Sequence, residues 1–387
     1  MNDLFALVGE ERVSPGLEHR VIVITDPEEL ASHGQAWERL AEQAAEPNVF
    51  YAPWALLSSA RHLHPGQTLR VLLFVREAEG RQLDGVLPLF EKRCGALTAL
   101  HSYRHRYCFS TEPLLARGRE AEVARSFVAW LHARRFRCPL LSLRGLDGRG
   151  AWLRALLPAL DQWGLHYRQA EPVERALLRI EGGLEAFLER TPAKKRKEYR
   201  RLRERLEAQG ELRVQMLQPA DDLREWLEGF IALELRGWKG REGTALGSRP
   251  ACRRFFLEVA RGAHARGQLM MVRMSLDGRP LAMLCDLLAP PGRYAFKTAY
   301  DEEYARYAPG VLLELENACL TFQAPGGVAW LDSCAAPDNA LLNRLYPDRR
   351  SMTDLTICAL GAARLAPWAV QTMKRWRRRL RRQDGAS

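Results

Sequence analysis

Pro309 and Gly310 stand between a charged turn, Asp301 to Arg306, and the start of an apolar helical pattern, and together they can hold a phosphate group. Proline suits the first helical position because its missing N–H would have no partner there. Gly310 lacks a Cβ, so a bulky ligand can come close to the backbone. The unpaired amides of a helix N-terminus carry partial positive charge and bind phosphate. A strand, turn and helix in this order commonly hold a coenzyme pyrophosphate, although an ordinary helix start uses the same residues. His101, His105 and Cys108 have a metal-like spacing, but no fourth ligand accompanies them and neighbouring basic residues oppose a cation, so no metal is expected. Cys334 has no histidine nearby in sequence, which favours a buried thiol over a nucleophile. Neither GxxxxGK(S/T) nor GxGxxG occurs.

A chain of 387 residues is too long for one core and implies two domains. Its composition, 47% hydrophobic and 27% charged, is that of an ordinary globular protein. No apolar run is long enough to span a bilayer, and the N-terminus lacks the features of a signal peptide. Eight scattered cysteines without a CxxC pair read as reduced thiols, so a cytoplasmic location is expected. The net charge of +11 comes from two places, Lys194 to Arg205 and Lys374 to Ser387, and the remainder is close to neutral. This argues against a general nucleic-acid-binding surface and for two local anionic contacts or two solvated helices.

Those residues need elements to position them. Helices are expected over 36–64, broken at Pro47-Asn48, then a hairpin of Leu69 to Arg76 with Gly85 to Phe90. A helix from Glu120 to Arg135 has Val123, Phe127, Trp130 and Leu131 on one face. The second half repeats this grammar. Helices Asp221 to Arg236 and Pro250 to Arg266 precede a hairpin around Asp277-Gly278. Strand Arg293 to Ala299, helix Pro309 to Phe322 and strand Val328 to Asp332 follow. Each half places helices, then an antiparallel hairpin, then a β–α–β unit, which reads as a duplicated α/β domain. The expected divisions are an extension 1–20, domains 21–180 and 181–365, and a basic tail 366–387. Thr191-Pro192 is expected to cap the basic helix that begins the second half.

Five segments carry a family resemblance: Lys194 to Leu202, Leu233 to Ala245, Asp277 to Ala282, Tyr300 to Gly310, and Leu331 to Ala335. In this order they resemble the GNAT acyltransferase superfamily, in its CelD-like tandem branch related to the Fem peptidoglycan aminoacyl ligases. The resemblance covers residues 190–350 well and the first half mainly through Gly85 to Leu89. It implies two tandem GNAT-like α/β domains, each a mixed, mainly antiparallel sheet flanked by helices. It further implies acetyl-CoA or another acyl-CoA in the second domain, its pantetheine in a gap between the strand Arg293 to Ala299 and the strand ending at Asp332. Its pyrophosphate would contact Arg306, Tyr307, Pro309, Gly310, Val311 and Leu312. The common loop R/Q-x-x-G-x-G/A is altered here: one extra residue separates Arg306 from Gly310, and the second small residue is missing. The first domain has Ser110-Thr111-Glu112-Pro113 in place of a Pro-Gly start and is expected to be non-catalytic.

Acyl transfer from a thioester needs a neutral amine, a proton acceptor, oxyanion stabilisation and a proton for the leaving thiolate. Asp332 is the first candidate to orient or deprotonate the acceptor, Tyr346 to protonate the thiolate, and Lys297 to bind an anionic acceptor or oxyanion. Each has a bland counterpart: a turn cap, a packed aromatic, an exposed edge residue. Trp238 and Lys239, in the glycine-rich stretch Gly237 to Gly243, are expected in a loop that closes over substrate, with Asp286 as a further substrate contact. The expected acceptor is an amine on a small molecule or glycan precursor, in polysaccharide biosynthesis. The tail could lie on an anionic membrane at its inner face. Two rivals stand beside this reading: an aminoacyl-tRNA-dependent ligase, for which tRNA would use the basic segments, and a non-catalytic membrane-associated accessory protein.

Overall fold

The computed structural model describes residues 17–359 except 65–67, 78–80, 95–96, 137 and 324–326. Two units emerge, 1–173 with 351–387 and 174–350. The first contains strands β1 (His19–Ile24), β2 (Thr68–Arg76), β3 (Gln82–Cys94), β4 (Leu97–Ser102), β5 (Leu114–Leu115), β6 (Leu140–Asp147) and β7 (His166–Gln169). Its helices are α1 (Pro27–Ala31), α2 (Gly34–Gln43), α3 (Pro53–Leu63), α4 (Glu120–Ala133) and α5 (Ala151–Gln162). The strands order as β1-β2-β3-β4-β6, with β5 added to β3. All pair antiparallel except β4 and β6, which run parallel on either side of α4 in the chain. β2 is buried from Val71 to Val75 without alternation, as a strand covered on both faces must be. On α4, Val123, Phe127, Trp130 and Leu131 share a face as their spacing requires, and pack in one core with Trp152, Leu153 and Leu156 of α5.

The second unit contains β8 (Val173–Arg179), β9 (Leu212–Met216), β10 (Leu269–Leu276), β11 (Arg279–Ala289), β12 (Gly292–Tyr300) and β13 (Trp330–Asp332). Its helices are α6 (Gly183–Arg190), α7 (Ala193–Glu207), α8 (Leu223–Arg236), α9 (Trp238–Arg241), α10 (Pro250–His264), α11 (Pro309–Gln323) and α12 (Leu342–Leu345). Strand order is β8-β13-β12-β11-β10-β9, and here too one pair is parallel, β12 with β13, bracketing α11 in the chain. The expected repeat of hairpin and β–α–β unit is therefore present in both halves. Alternation along β10 and β11 assigns the faces: Val272, Met274, Ala282 and Leu284 pack with Leu206 of α7 and Leu312 of α11. The opposite face takes α8 and α10, where Phe230, Phe256 and Phe296 follow one another with ring centroids 5.5 and 6.4 Å apart.

Two expectations change. The second unit ends near Arg350, not 365: β14 (Asp348–Cys358) crosses the division, and from Ser351 it pairs antiparallel with β6 and β7. Thr191 does not cap the basic helix. Its amide closes the unforeseen helix α6 on the carbonyl of Leu188, and α7 begins after Pro192 with no side-chain cap. The paired Gly182 and Gly183, both at positive φ, let the chain turn into α6. Residues 1–16 and the basic tail fall outside the described residues, and within those residues no helix is long and apolar enough to cross a membrane.

In the first unit His64 packs edge-on against Phe90 (4.8 Å) and Tyr103 (5.9 Å), and His105 lies 5.7 Å from His64. Cys108 directs its thiol at the carbonyl of Ser110 (3.2 Å). Burial in this apolar setting disfavours the imidazolium, pushing His64 down to about 4, His101 to about 3, and His105 well below the ordinary histidine value. An unfolded chain binds these protons below about pH 6.5 while the folded one refuses them, so stability is full above that pH and is lost as pH falls toward 4. Thermal unfolding followed across pH 7 to 4 should show the midpoint dropping, with a shallower drop in His64→Phe.

Candidate acyl-transfer site

β12 and β13 are neighbours for three residues only: Gly292, Arg293 and Tyr294 pair with Trp330, Leu331 and Asp332. The strands approach so closely there that a Cβ on Gly292 would stand 2.2 Å from the Trp330 ring. Past Tyr294 the ladder to β13 ends, while β12 continues along β11 to Tyr300. Its register on β11 slips so that Ala295 faces Asp286 and Lys297 faces Cys285. A bulge of this kind bends a strand and sharpens its twist, and it falls just past Tyr294, where the pairing of β12 with β13 ends.

After β12 a 3₁₀ turn, Glu302–Tyr307, leads to α11. Ala308 sits at φ +51°, and its carbonyl accepts from both Val311 (3.0 Å) and Leu312 (3.1 Å). Pro309 has no N–H, so Gly310 keeps the one first-turn amide without an acceptor among the described residues. The expected set of phosphate amides thus shrinks: those of Val311 and Leu312 are already bonded. No acidic side chain occupies the first turn, which leaves its partial positive charge unopposed. Arg306 is exposed, its guanidinium 4.8 Å from the ring of the buried Tyr307. It shares a depression of about 460 Å³ with Arg279, Tyr304, Asp277 and Glu303.

Glu314, Asn317 and Thr321 of α11 point into the unit. Glu314 is 4% exposed; it accepts from the Thr298 hydroxyl (2.6 Å) on β12 and from the Tyr346 hydroxyl (3.0 Å). Burial, then the nearby Asp286 charge, raises its pKa. Tyr346 is wholly buried, and burial followed by the Glu314 charge raises its pKa well above the usual value. One turn along, Arg293 donates to Asp286 (2.8 Å), to Thr321 (2.6 Å) and to Asn317, and Asn317 donates to Asp286 (2.9 Å). Asp286 is therefore an internal residue, 1% exposed, and not a surface contact for substrate. Burial pushes its carboxyl up, with Arg293 and Asn317 pulling against that.

Asp332 is fully buried at the end of β13. It accepts from Arg175 (2.6 Å), Arg350 (2.8 Å) and the amide of Cys334 (2.8 Å). Burial works against its charge, yet the two guanidiniums outweigh it and hold its pKa below the ordinary value. So tightly paired, Asp332 is a poor proton acceptor. Lys297, opposite Cys285, lies across the sheet from Thr298 and so is not gathered with Glu314 and Tyr346. Trp238 and Lys239 occupy the helical turn α9, not a loop. The Trp238 amide donates to Glu302, and the Lys239 ammonium to Glu234 (3.3 Å) and the Thr298 carbonyl (2.8 Å). A Cβ on Gly240 would overlap the Leu235 carbonyl at 1.8 Å, so α9 is seated directly on α8. The Trp238 ring remains 43% exposed.

Residues 193–339 match the family model described as an acetyltransferase (GNAT) domain. This segment is a GNAT domain. It holds α7 to β13, including the parted strands and the start of α11. FemX has the same fold at 10% identity, with a TM-score of 0.54 over 84% of this chain and 95% of that one. So do the C-terminal domain of a putative lysylphosphatidylglycerol synthetase from Agrobacterium fabrum (10%, 0.52, 84% and 91%) and L-PGS from Bacillus licheniformis (12%, 0.50, 90% and 93%). These likenesses span both units and show a shared fold. No curated protein matches the chain.

Sequence reasoning missed Glu314, Asn317, Thr321, Arg293, Arg175 and Arg350. The first three had a signal: spaced by three and four on a mainly apolar helix, they form a polar stripe facing a core. The arginines had none, because their partners lie on other strands and helices. Arg293→Met should strand the Asp286 carboxylate in the core and lower stability by about 3–5 kcal/mol in urea unfolding, whereas Arg293→Met with Asp286→Leu should recover most of it.

Proposed function

We propose that this chain is an N-acyltransferase that moves an acyl group, acetyl in the first instance, from acyl-CoA to an amine on a small molecule or glycan precursor by direct attack. The observation that carries the reading is the parting of β12 from β13 beside a helix whose first turn holds an unpaired Gly310 amide and no acid. An extended pantetheine arm, with its own amides, suits the free edge of a strand. Gly310 and Arg306 supply an amide and a guanidinium for the pyrophosphate. Tyr346, held by Glu314, is the proton donor for the thiolate, and for that it exchanges its bond to Glu314 for one to sulfur. Asp332 keeps Arg175 and Arg350 in place, and the amine loses its proton to solvent. Trp238, exposed at the start of α9, is the acceptor contact. The helix α4 of the first unit carries Glu120 and Glu122 in its first turn, which repels an anion there.

Calorimetric titration should give binding of acetyl-CoA and CoA on the order of micromolar. Gly310→Trp should abolish it, since a side chain at this position meets the Tyr300 ring, its Cβ alone lying 3.3 Å away. Tyr346→Phe should retain binding and lose roughly a hundredfold in turnover. Absence of binding to both ligands would refute the acyl-CoA donor and move the case to aminoacyl-tRNA.

A further inference from the structure

The helix α7 has an outward face made almost wholly of cations. Tyr199, Leu202 and Leu206 turn inward to the core, so the remaining arc faces solvent. Lys194, Arg196, Lys197, Arg200, Arg201 and Arg205 are all exposed on it. Two of the helix's acids are taken up elsewhere: Glu198 pairs with Lys195 (2.6 Å) and Glu207 with Arg203 (2.9 Å). Glu204 is the one acid left among the outward cations. From Lys194 to Arg205 the row runs about 16 Å at the rise of an α-helix. Both ends extend it. The exposed Arg344 stands near enough to Glu198 and Tyr199 to act on their charges, and Leu341, whose carbonyl accepts from the Arg344 amide (3.0 Å), is 39% exposed. At the other end Arg205 and Arg306 lie over the same Tyr307 ring, at 5.6 and 4.8 Å.

We infer that this face docks on an anionic phospholipid surface. A row of cations on one helix is convex and offers no groove to enclose a nucleic-acid strand. Its outward side chains include no aromatic on which a base could stack. A plane of phosphodiester headgroups makes neither demand: long, independent basic side chains reach it together, each adding a similar increment of attraction. Leu341 at the margin supplies an apolar contact of the kind that enters the headgroup layer. The attraction is electrostatic, so added salt weakens it. Docking in this way brings Arg306 and the start of α11 to the lipid, where an amine acceptor of amphiphilic character would be met.

The test is co-sedimentation of the full chain with phosphatidylcholine vesicles, with and without phosphatidylglycerol. The expected result is salt-sensitive binding only where phosphatidylglycerol is present, weakened roughly a hundredfold in Lys197→Gln/Arg200→Gln/Arg201→Gln. Those three side chains make no hydrogen bond or ion pair among the described residues, so this variant should unfold at the parental temperature. The matched variant Arg377→Gln/Arg378→Gln/Arg379→Gln tests the basic tail. The inference is overturned if the α7 variant binds as the parent does, if only the tail variant loses binding, or if the parent ignores lipid charge. Displacement of the parent from vesicles by a structured RNA that fails to bind the α7 variant would overturn it too, and would assign the face to nucleic acid.

Discussion

A guanidinium sealed from water, that of Arg293, fixes the rest of the second unit. At 1% exposure its charge can be kept only if every direction in which it donates meets an acceptor. Those acceptors come from two elements: Asp286 on β11, and Asn317 and Thr321 on α11. β12, which carries the arginine, is thereby tied to the strand beside it and to the helix across it. Asn317 closes the ring by donating to Asp286, and the Thr321 hydroxyl donates to the Asn317 carbonyl (2.7 Å). The helix cannot slide along the sheet without breaking several bonds to a buried charge. The start of α11, two turns away, is held in register with β12 by the same bonds.

The buried carboxylates differ in what they can do because their partners differ. Asp332 faces two arginines and keeps its charge. Asp286 is bound to one arginine and one amide. Glu314 accepts hydrogen bonds from two hydroxyls, those of Thr298 and Tyr346. A carboxyl with neutral partners can hold or release a proton without leaving an opposite charge unpaired in the core. Of the three, Glu314 is the one suited to follow a change at Tyr346.

Local patterns were readable and distant pairings were not. Helical spacing placed α4, α8 and α10, alternation and the Asp277-Gly278 turn placed the second hairpin, and Pro309-Gly310 marked the start of α11 to the residue. These signals are written within ten or fifteen neighbouring residues. The site residues fared differently. Asp332 was legible as a strand-end carboxylate, but its neutralisation depends on Arg175 and Arg350, 157 and 18 residues away in sequence. Glycines 237 to 243 read as a mobile loop because the helix-breaking residue is visible in sequence, while the Leu235 carbonyl that requires Gly240 is a matter of packing. The return of β14 to the first unit was equally hidden, since strand pairing across some 200 residues leaves no local trace.

The two β–α–β units carry the same topology to different ends. In each, a parallel pair of strands brackets a helix: β4 and β6 around α4, β12 and β13 around α11. A helix start attracts anions only if its amides are unpaired and no carboxylate competes for the same partial charge. At α4 two glutamates lie in the first turn, and Arg119, the residue before it, lies 3.7 Å from one of them. At α11 the turn contains Pro309, Gly310, Val311 and Leu312, with arginines at 306 and 205 near its approach. A Cβ on Gly310 would stand 3.3 Å from the Tyr300 ring. Duplication supplies two helix starts at equivalent places in the topology, and the side chains of a single turn leave only that of α11 without a competing carboxylate.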